Sequence, residues 1–271
     1  ASKQNNMYSP VQLAFKYINY YLKASNGKGH GIHSPFVYDF VTNVLNDKRT
    51  FYAYEAIEKS RQLMLHDETV LTVEDFGAGS RTGLTKQRKI KDIASSSLKP
   101  KKFAQLLFRM VDYYQPKTIV ELGTSLGITS SYLASAKTDA QVITMEGSSA
   151  IAAVAKKNLQ SLGLNNIEIV EGNFDKNMTS VMSQLSTIDF AFIDGNHRYQ
   201  PTINYFNLIL PKLNDSSILI FDDVHWSKEM EQAWNEIIKH PSVTLSIDLF
   251  LIGVVLFKKD FKIKQDFVVR F

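Results

Sequence analysis

From Pro116 onward, short runs of β-branched and apolar residues alternate with longer segments in which apolar residues recur every three or four positions. This alternation is typical of strand–helix–strand units, whose strands are parallel. The predicted strands are Thr118–Leu122, Gln141–Glu146, Ile167–Glu171, Ile188–Ile193, Ser217–Phe221, Val243–Asp248 and Phe250–Phe257. The predicted helices begin near Ile128 and then cover Ala150–Leu162, Lys176–Leu185, Pro201–Leu210 and Lys228–Lys239.

The last two predicted strands lie too close together in the chain for a helix between them. We therefore expect them to form an antiparallel hairpin at the edge of the sheet. The pattern as a whole predicts an α/β fold with a Rossmann-like, doubly wound sheet of seven strands. Five of these strands are parallel, and the hairpin supplies the other two.

The first hundred residues follow a helical pattern instead. Tyr8 to Leu22 is amphipathic, Pro35 suits the first turn of a second helix, and a third helix is predicted around Phe51 to Leu65. We therefore predict a mainly helical N-terminal cap over residues 1–98, followed by the main domain over residues 99–271. A glycine-rich stretch within the cap, Asp75 to Gly83, is interpreted as a loop or lid near the site, with a plain surface turn as the alternative.

Composition narrows the classes of protein. The chain has no cysteine, which excludes disulfides and thiolate metal sites. Its first residues lack the apolar core of a signal peptide, and its longest apolar run, Phe250 to Phe257, is too short to span a bilayer. We therefore expect a soluble, cytoplasmic protein.

The net charge is +4, and basic residues are concentrated between Lys86 and Lys102. For this basic stretch, a solvated surface is favoured over a contact with nucleic acid.

The most informative stretch is Thr118 to Gly127, which reads TIVELGTSLG. Gly123 allows a tight turn after the strand, and Gly127 allows the following helix to approach closely because it has no Cβ. The carboxylate of Glu121 would repel a pyrophosphate but suits a cationic amine. The stretch therefore favours an amino-acid-bearing nucleoside over a dinucleotide.

The residues at two further strand ends also suit the binding of a nucleoside. Glu146, followed by Gly147, ends the second predicted strand, where a carboxylate can accept hydrogen bonds from both ribose hydroxyls. After the third strand, the amide of Asn173 can pair with the edge of an adenine, and Phe174 can cover its face.

The fourth and fifth strand ends bring acidic groups together. Asp194 follows one strand, and Asp222 and Asp223 follow the next. Three converging carboxylates repel one another unless a cation joins them, and oxygen ligands suit Mg²⁺. These three residues are the predicted metal ligands. His197 lies three residues after Asp194.

In this order and spacing, the motifs ELGTSLG, TMEG, EGNF and FIDG resemble the class I S-adenosylmethionine-dependent methyltransferases over residues 100–271. The resemblance implies that Glu121 holds the methionine ammonium and that Gly123, Thr124, Ser125 and Gly127 line the cofactor. It also implies that Glu146 holds the ribose and that Asp194 lies near the transferred methyl.

Within that class, the acidic pattern is similar to the metal-dependent O-methyltransferases of the catechol and macrolide-sugar types. His197 replaces the lysine base of the catechol type, and the pair Asp222 and Asp223 replaces its Asp-Asn pair, which looks more like the sugar-directed branch. The resemblance implies O-methylation of a small-molecule hydroxyl, with His197 as the general base that takes the hydroxyl proton.

Other functions stay open at this point. Residues 123–127 also spell G-x-S-x-G, so a serine hydrolase would use Ser125 with Asp194 or Asp222 and then His225 or His240. Glu121 opposes that reading, because its charge would destabilise an oxyanion. A methyltransferase of RNA or protein and a non-catalytic cofactor-binding module are further alternatives, and homodimer formation is left open.

Overall fold

The computed structural model describes residues 7–25, 27–29, 33–75 and 84–271. The chain divides into two compact units: a middle unit of residues 43–184, and a terminal unit formed by residues 1–42 and 185–271. In the part of the chain that is described, every helix is too short or too polar to cross a membrane.

The helices and strands are as follows in chain order. The helices are α1 (Pro10–Lys23), α2 (Pro35–Asp39), a π-helix (Phe40–Leu45), α3 (Ala53–Leu65), α4 (Ile90–Ser97), α5 (Lys101–Tyr114), α6 (Ile128–Ala136), α7 (Ser149–Ser161), α8 (Phe174–Gln184), α9 (Tyr199–Ile209), a 3₁₀ turn (Leu210–Lys212) and α10 (Lys228–Ile237). The strands are β1 (Val70–Asp75), β2 (Leu84–Lys89), β3 (Thr118–Leu122), β4 (Gln141–Glu146), β5 (Ile167–Glu171), β6 (Ile188–Ile193), β7 (Leu213–Asp222), β8 (Leu245–Asp248), β9 (Ile252–Leu256) and β10 (Gln265–Val268).

In the middle unit, β4 is paired in parallel with β3 and with β5. The register sets Glu121 opposite Thr144 and Glu146 opposite Glu171. Residues 119–122 of β3 are fully buried, which explains the continuous apolar run around a single carboxylate. An aromatic cluster that includes Phe108 of α5 and Tyr132 of α6 forms part of the core of this unit.

The middle unit also contains an antiparallel pair, β1 with β2, that the helical prediction for residues 1–98 missed. The sequence of β2 is LTKQRK, whose polar side chains hide the strand pattern. Helix α4 starts at Ile90, directly after β2. Lys89 and Lys91 both pair with Glu68 on the surface, as expected for a solvated basic face.

Residues 76–83 of the glycine-rich loop lie outside the described residues, so the interpretation of that loop as a lid stays a prediction.

In the terminal unit, β6 and β7 are parallel, β9 is antiparallel to β7, and β8 is antiparallel to β9. The predicted antiparallel pairing of the C-terminal hairpin is therefore confirmed, but its predicted place at the edge of the sheet is wrong, because β10 lies beyond β8. The last strand, β10, pairs in parallel with β8 and was not predicted, because four residues with a mixed pattern carry little signal. All five strands predicted to be parallel are present, which confirms the predicted fold class.

Candidate functional site

The loop after β3 is a tight backbone turn. Gly123, Ser125 and Gly127 all have positive φ, at 104°, 48° and 84°. The N–H groups of Gly123 and Thr124 both donate to the carbonyl of Met145 at 3.0 Å, which ties the loop to the end of β4. The φ of 104° at Gly123 is readily adopted only by glycine, because a Cβ would clash with the backbone. The prediction of a tight turn at Gly123 is therefore confirmed.

The second glycine of the loop has a packing role. A Cβ on Gly127 would lie 3.2 Å from the Cβ of Ala155 in α7, closer than ordinary van der Waals contact. The absence of a side chain therefore allows α6 to start against α7, which is one of the two roles that the sequence suggested for this glycine.

The close packing of Gly127 against Ala155 can be tested with the substitution Gly127→Ala, for which Gly163→Ala is the matched control. Both glycines have positive φ, but a Cβ on Gly163 would have no heavy atom within 4 Å. The control should lose about 1–2 kcal/mol of unfolding free energy from backbone strain. Gly127→Ala should lose about 1–3 kcal/mol more from overpacking. Urea unfolding of both variants measures this difference, and equal losses would contradict a packing role.

Glu146 is held by backbone N–H groups on both carboxylate oxygens. Oε2 accepts from the N–H of Ser125 at 2.8 Å, and Oε1 accepts from the N–H of Ser148 at 3.0 Å. Burial raises the pKa of this carboxyl, and the N–H groups of Ser148, Ser125 and Gly147 partly oppose the rise. The two bonds fix the orientation of the carboxylate and leave further lone pairs for a ligand diol.

Glu121 lies beneath the loop and is fully buried. It accepts hydrogen bonds from the hydroxyls of Ser130 and Thr144, the latter at 2.6 Å, and the Thr144 hydroxyl lies 2.6 Å from that of Thr124. Its Oε1 atom has no hydrogen-bond partner among the described residues. Burial raises the pKa of Glu121 to about 7; the two hydroxyls oppose the rise and the charge of Glu146 adds to it. Its position favours an indirect contact with a cationic ligand, through the hydroxyls.

The other predicted cofactor residues of this unit are less buried. The side-chain oxygen of Asn173 accepts the N–H of Asp175 at 2.8 Å, so it caps α8 and leaves the amide nitrogen for an adenine. Phe174 begins α8 and is half-buried. The Ser125 hydroxyl lies 3.1 Å from that of Ser97, a partner that does not activate it as a nucleophile.

The acidic strand ends of the terminal unit come together around His197. Its Nε2 atom lies 3.5 Å from Asp194 Oδ1, and its Nδ1 atom lies 3.8 Å from Asp223 Oδ2. Asp194, His197 and Asp222 each offer one ligand atom, and these three atoms lie within 4.8 Å of one another. This group differs from the predicted ligand set, because His197 takes the place that the sequence assigned to Asp223. Asp223 has a left-handed backbone, with φ of 53°, that the sequence did not indicate.

Two carboxylates and one imidazole form a donor set that fits a divalent cation. In an octahedral Mg²⁺ site, neighbouring ligand atoms lie about 3.0 Å apart and opposite ones about 4.2 Å apart, so the three atoms, which lie within 4.8 Å of one another, would have to move closer together to bind the ion. The imidazole also makes the set suitable for Mn²⁺ or Zn²⁺, which accept nitrogen more readily than Mg²⁺ does.

His225 belongs to a separate ionic network that sequence reasoning missed. Its Nδ1 atom lies 3.0 Å from Glu231 and its Nε2 atom 2.7 Å from Asp248. Glu231 also accepts hydrogen bonds from Tyr8 and Lys16, at 2.6 Å and 2.8 Å, which joins α1 to α10. Burial lowers the pKa of His225, but the two carboxylates more than offset that effect, so the net shift is upward.

Comparison with known proteins identifies the segment that carries most of these residues. Residues 120–224 match the model of a family described as a methyltransferase domain. This segment is therefore similar to a methyltransferase domain. It contains every predicted cofactor, catalytic and metal residue from Glu121 to Asp223.

Solved structures have the same fold as the domain and the segments around it. An O-methyltransferase from Bacillus cereus in complex with S-adenosylhomocysteine is 18% identical, with a TM-score of 0.55 over 80% of this chain and 96% of its own. A methyltransferase from Podospora anserina, also bound to S-adenosylhomocysteine, is 14% identical, with a TM-score of 0.57 over 84% and 98%. TomG of Streptomyces achromogenes, an O-methyltransferase of tomaymycin synthesis in complex with S-adenosylmethionine, is 17% identical, with a TM-score of 0.54 over 82% and 95%.

A curated relative is closer in sequence but covers less of the chain. An uncharacterised protein of Acanthamoeba polyphaga mimivirus is 36% identical over 80 residues, which are 28% of this chain and 36% of that protein. The match therefore spans about a third of the curated relative. Together, the comparisons establish the Rossmann-like methyltransferase fold that the sequence motifs predicted.

Proposed function

We propose that the protein is an S-adenosylmethionine-dependent methyltransferase that acts on a hydroxyl of a small molecule. The observation that carries this proposal is the Glu146 carboxylate, which two backbone N–H groups hold at the end of β4 inside the methyltransferase domain. A carboxylate in this setting suits the two hydroxyls of a ribose. The O-methyltransferases of similar fold support the choice of oxygen as the acceptor atom.

The middle unit supplies the binding groups for the cofactor in this proposal. Glu146 accepts hydrogen bonds from the ribose hydroxyls, Asn173 pairs with the adenine edge, and Phe174 covers the adenine face. Glu121 lies beneath the loop, where the positive charge of a bound cofactor would favour the ionised carboxylate that burial disfavours. When bound, S-adenosylmethionine supplies an electrophilic methyl group on a sulfonium.

The terminal unit supplies the groups for the acceptor. Asp194 and Asp222 would hold a divalent cation, which lowers the pKa of an acceptor hydroxyl when it is bound. His197 takes the hydroxyl proton as the new carbon–oxygen bond forms and the carbon–sulfur bond breaks. Asp223 Oδ2 lies 3.8 Å from the other ring nitrogen of His197, so a small movement would let it accept a hydrogen bond from the imidazole. The proposal includes a cytoplasmic location, with which the absence of cysteine is compatible.

The proposed function is tested with the purified full chain. Calorimetry should show binding of S-adenosylmethionine, and methyl groups labelled with tritium should pass to hydroxyl compounds but not to amine analogues of the same skeleton. No cofactor binding would overturn the proposal. Binding without transfer to small molecules, protein or RNA would favour a non-catalytic module, and transfer to RNA alone would favour an RNA methyltransferase.

A further inference from the structure

A cavity of about 440 Å³ lies in the terminal unit, outside the predicted cofactor residues. This cavity, called the α1 pocket, is lined by Pro10, Leu13, Ala14 and Tyr17 of α1 and by Asp223, His225, Trp226, Phe250 and Leu251. Its volume is in the range of pockets that bind small molecules. All of its α1 residues precede the segment that matches the methyltransferase family, so the family match does not assign this pocket.

The wall of the α1 pocket is held in place by hydrogen bonds and ring contacts. Tyr8 and Lys16 fix α1 to Glu231, and Glu231 also contacts His225. The ring of Phe250 stacks on His225 with centroids 5.2 Å apart. Tyr17 packs edge-on against Phe250 at 5.1 Å, so the aromatic lining is arranged before any ligand arrives.

The backbone at Phe250 supports a functional role for this wall. Phe250 has φ of 70°, which is unusual for a bulky residue, and its N–H donates to Asp248 Oδ1 at 2.8 Å. Backbone strain of this kind costs about 1–3 kcal/mol and is concentrated at functional sites. The strained turn presents the aromatic ring of Phe250 to the pocket.

One end of the α1 pocket reaches the acidic cluster. Asp223 lines the pocket, and its carboxylate lies 3.8 Å from His197. His197 in turn lies 3.5 Å from Asp194. A molecule in the pocket can therefore present one polar group to the residues that we propose for the reaction.

The charges of the lining select the kind of ligand. Of the described lining residues, His225 can carry a positive charge, and its two ring nitrogens are occupied by Glu231 and Asp248. Asp223 adds a negative charge at the polar end, and the three carboxylates of Asp194, Asp222 and Asp223 together outweigh the charge of one bound divalent cation. A carboxylate, sulfate or phosphate on the ligand would be desolvated there beside negative charge, which is unfavourable.

From these observations we propose that the α1 pocket binds the methyl acceptor, and that the acceptor is a ring compound with a hydroxyl group and no anionic group. The proposal rests on the proposed function, since it names the substrate class of that reaction. Tyr17, Trp226 and Phe250 contact the ring face, and Asp223 lies at the hydroxyl end. Specificity is therefore set largely by α1.

A matched pair of probes tests the proposal: 4-phenylphenol, and 4′-hydroxybiphenyl-4-carboxylate, which adds one anionic group. Calorimetry should show that the wild-type chain binds the neutral probe at least about tenfold more tightly than the carboxylate. Leu13→Arg introduces a cation into the lining and should reverse or abolish this preference. Ile18→Arg is the control, because Ile18 is exposed on α1 and does not line the pocket.

Equal affinity of the two probes for the wild-type chain, or no binding of the neutral probe, would overturn the proposal. An unchanged preference in a folded Leu13→Arg variant would also overturn it, with circular dichroism as the folding check. If that variant does not fold, Ala14→Trp replaces it and should abolish binding of the neutral probe; retained binding counts against the pocket. Cofactor binding is measured separately, so its failure identifies an error in the proposed function, whereas its success without probe binding identifies an error in the pocket.

Discussion

Glu146→Ala is expected to weaken the binding of S-adenosylmethionine by about 100-fold or more. The substitution removes the carboxylate that, in the proposed function, accepts hydrogen bonds from both ribose hydroxyls. Each hydrogen bond to a charged acceptor contributes about 1.5–3 kcal/mol. The substitution also leaves the N–H groups of Ser125 and Ser148 without their observed partner. Since about 1.4 kcal/mol corresponds to a tenfold change in affinity, the loss is readily measured by calorimetry.

Glu171→Ala is the matched control for this prediction. Glu171 ends β5, lies opposite Glu146 in the register of the parallel strands, and is exposed. Its removal should change cofactor affinity less than threefold. Glu146→Gln keeps one acceptor oxygen and should fall between the two. Similar affinities for all three variants would remove Glu146 from the cofactor site.

Four of the strands were predictable to the residue. The bounds of β3, β4, β5 and β6 agree with the sequence prediction because each apolar run ends at a polar or glycine residue. The polar sequence of β2 and the short, mixed sequence of β10 carry no such signal. Those strands are specified by pairing with β1 and β8, which is information that a local pattern does not contain.

The site residues that the sequence could predict are those that stand at the ends of predicted strands. Glu146 and Asp194 come at strand ends, where the topology of an α/β sheet places functional groups. His197 is grouped with Asp194 and Asp222 across a turn in which Asn196 has a left-handed backbone, with φ of 61°, which a strand pattern does not indicate. The contacts of His225 with Glu231 and Asp248 join residues that are 6 and 23 positions away, so sequence spacing did not indicate them.

Asp222→Asn is expected to lower kcat by about 1000-fold while cofactor affinity stays within about threefold of the wild type. Asp222 is 1% exposed and belongs to the group of three potential ligands, so the loss of its charge weakens the hold on a divalent cation. A cation at an active site contributes several kcal/mol to the stabilisation of developing charge. Turnover, and Mn²⁺ affinity by calorimetry, should fall together.

Asp215→Asn is the control, because Asp215 lies near the other end of the same strand and its half-exposed side chain pairs with Lys259. It should leave kcat and Mn²⁺ affinity unchanged. His197→Ala then separates two roles for the imidazole: loss of turnover with normal Mn²⁺ affinity indicates a general base, and loss of both indicates a ligand. Full activity of Asp222→Asn, together with full activity in EDTA, would show that the reaction needs no metal and would leave His197 to act without one.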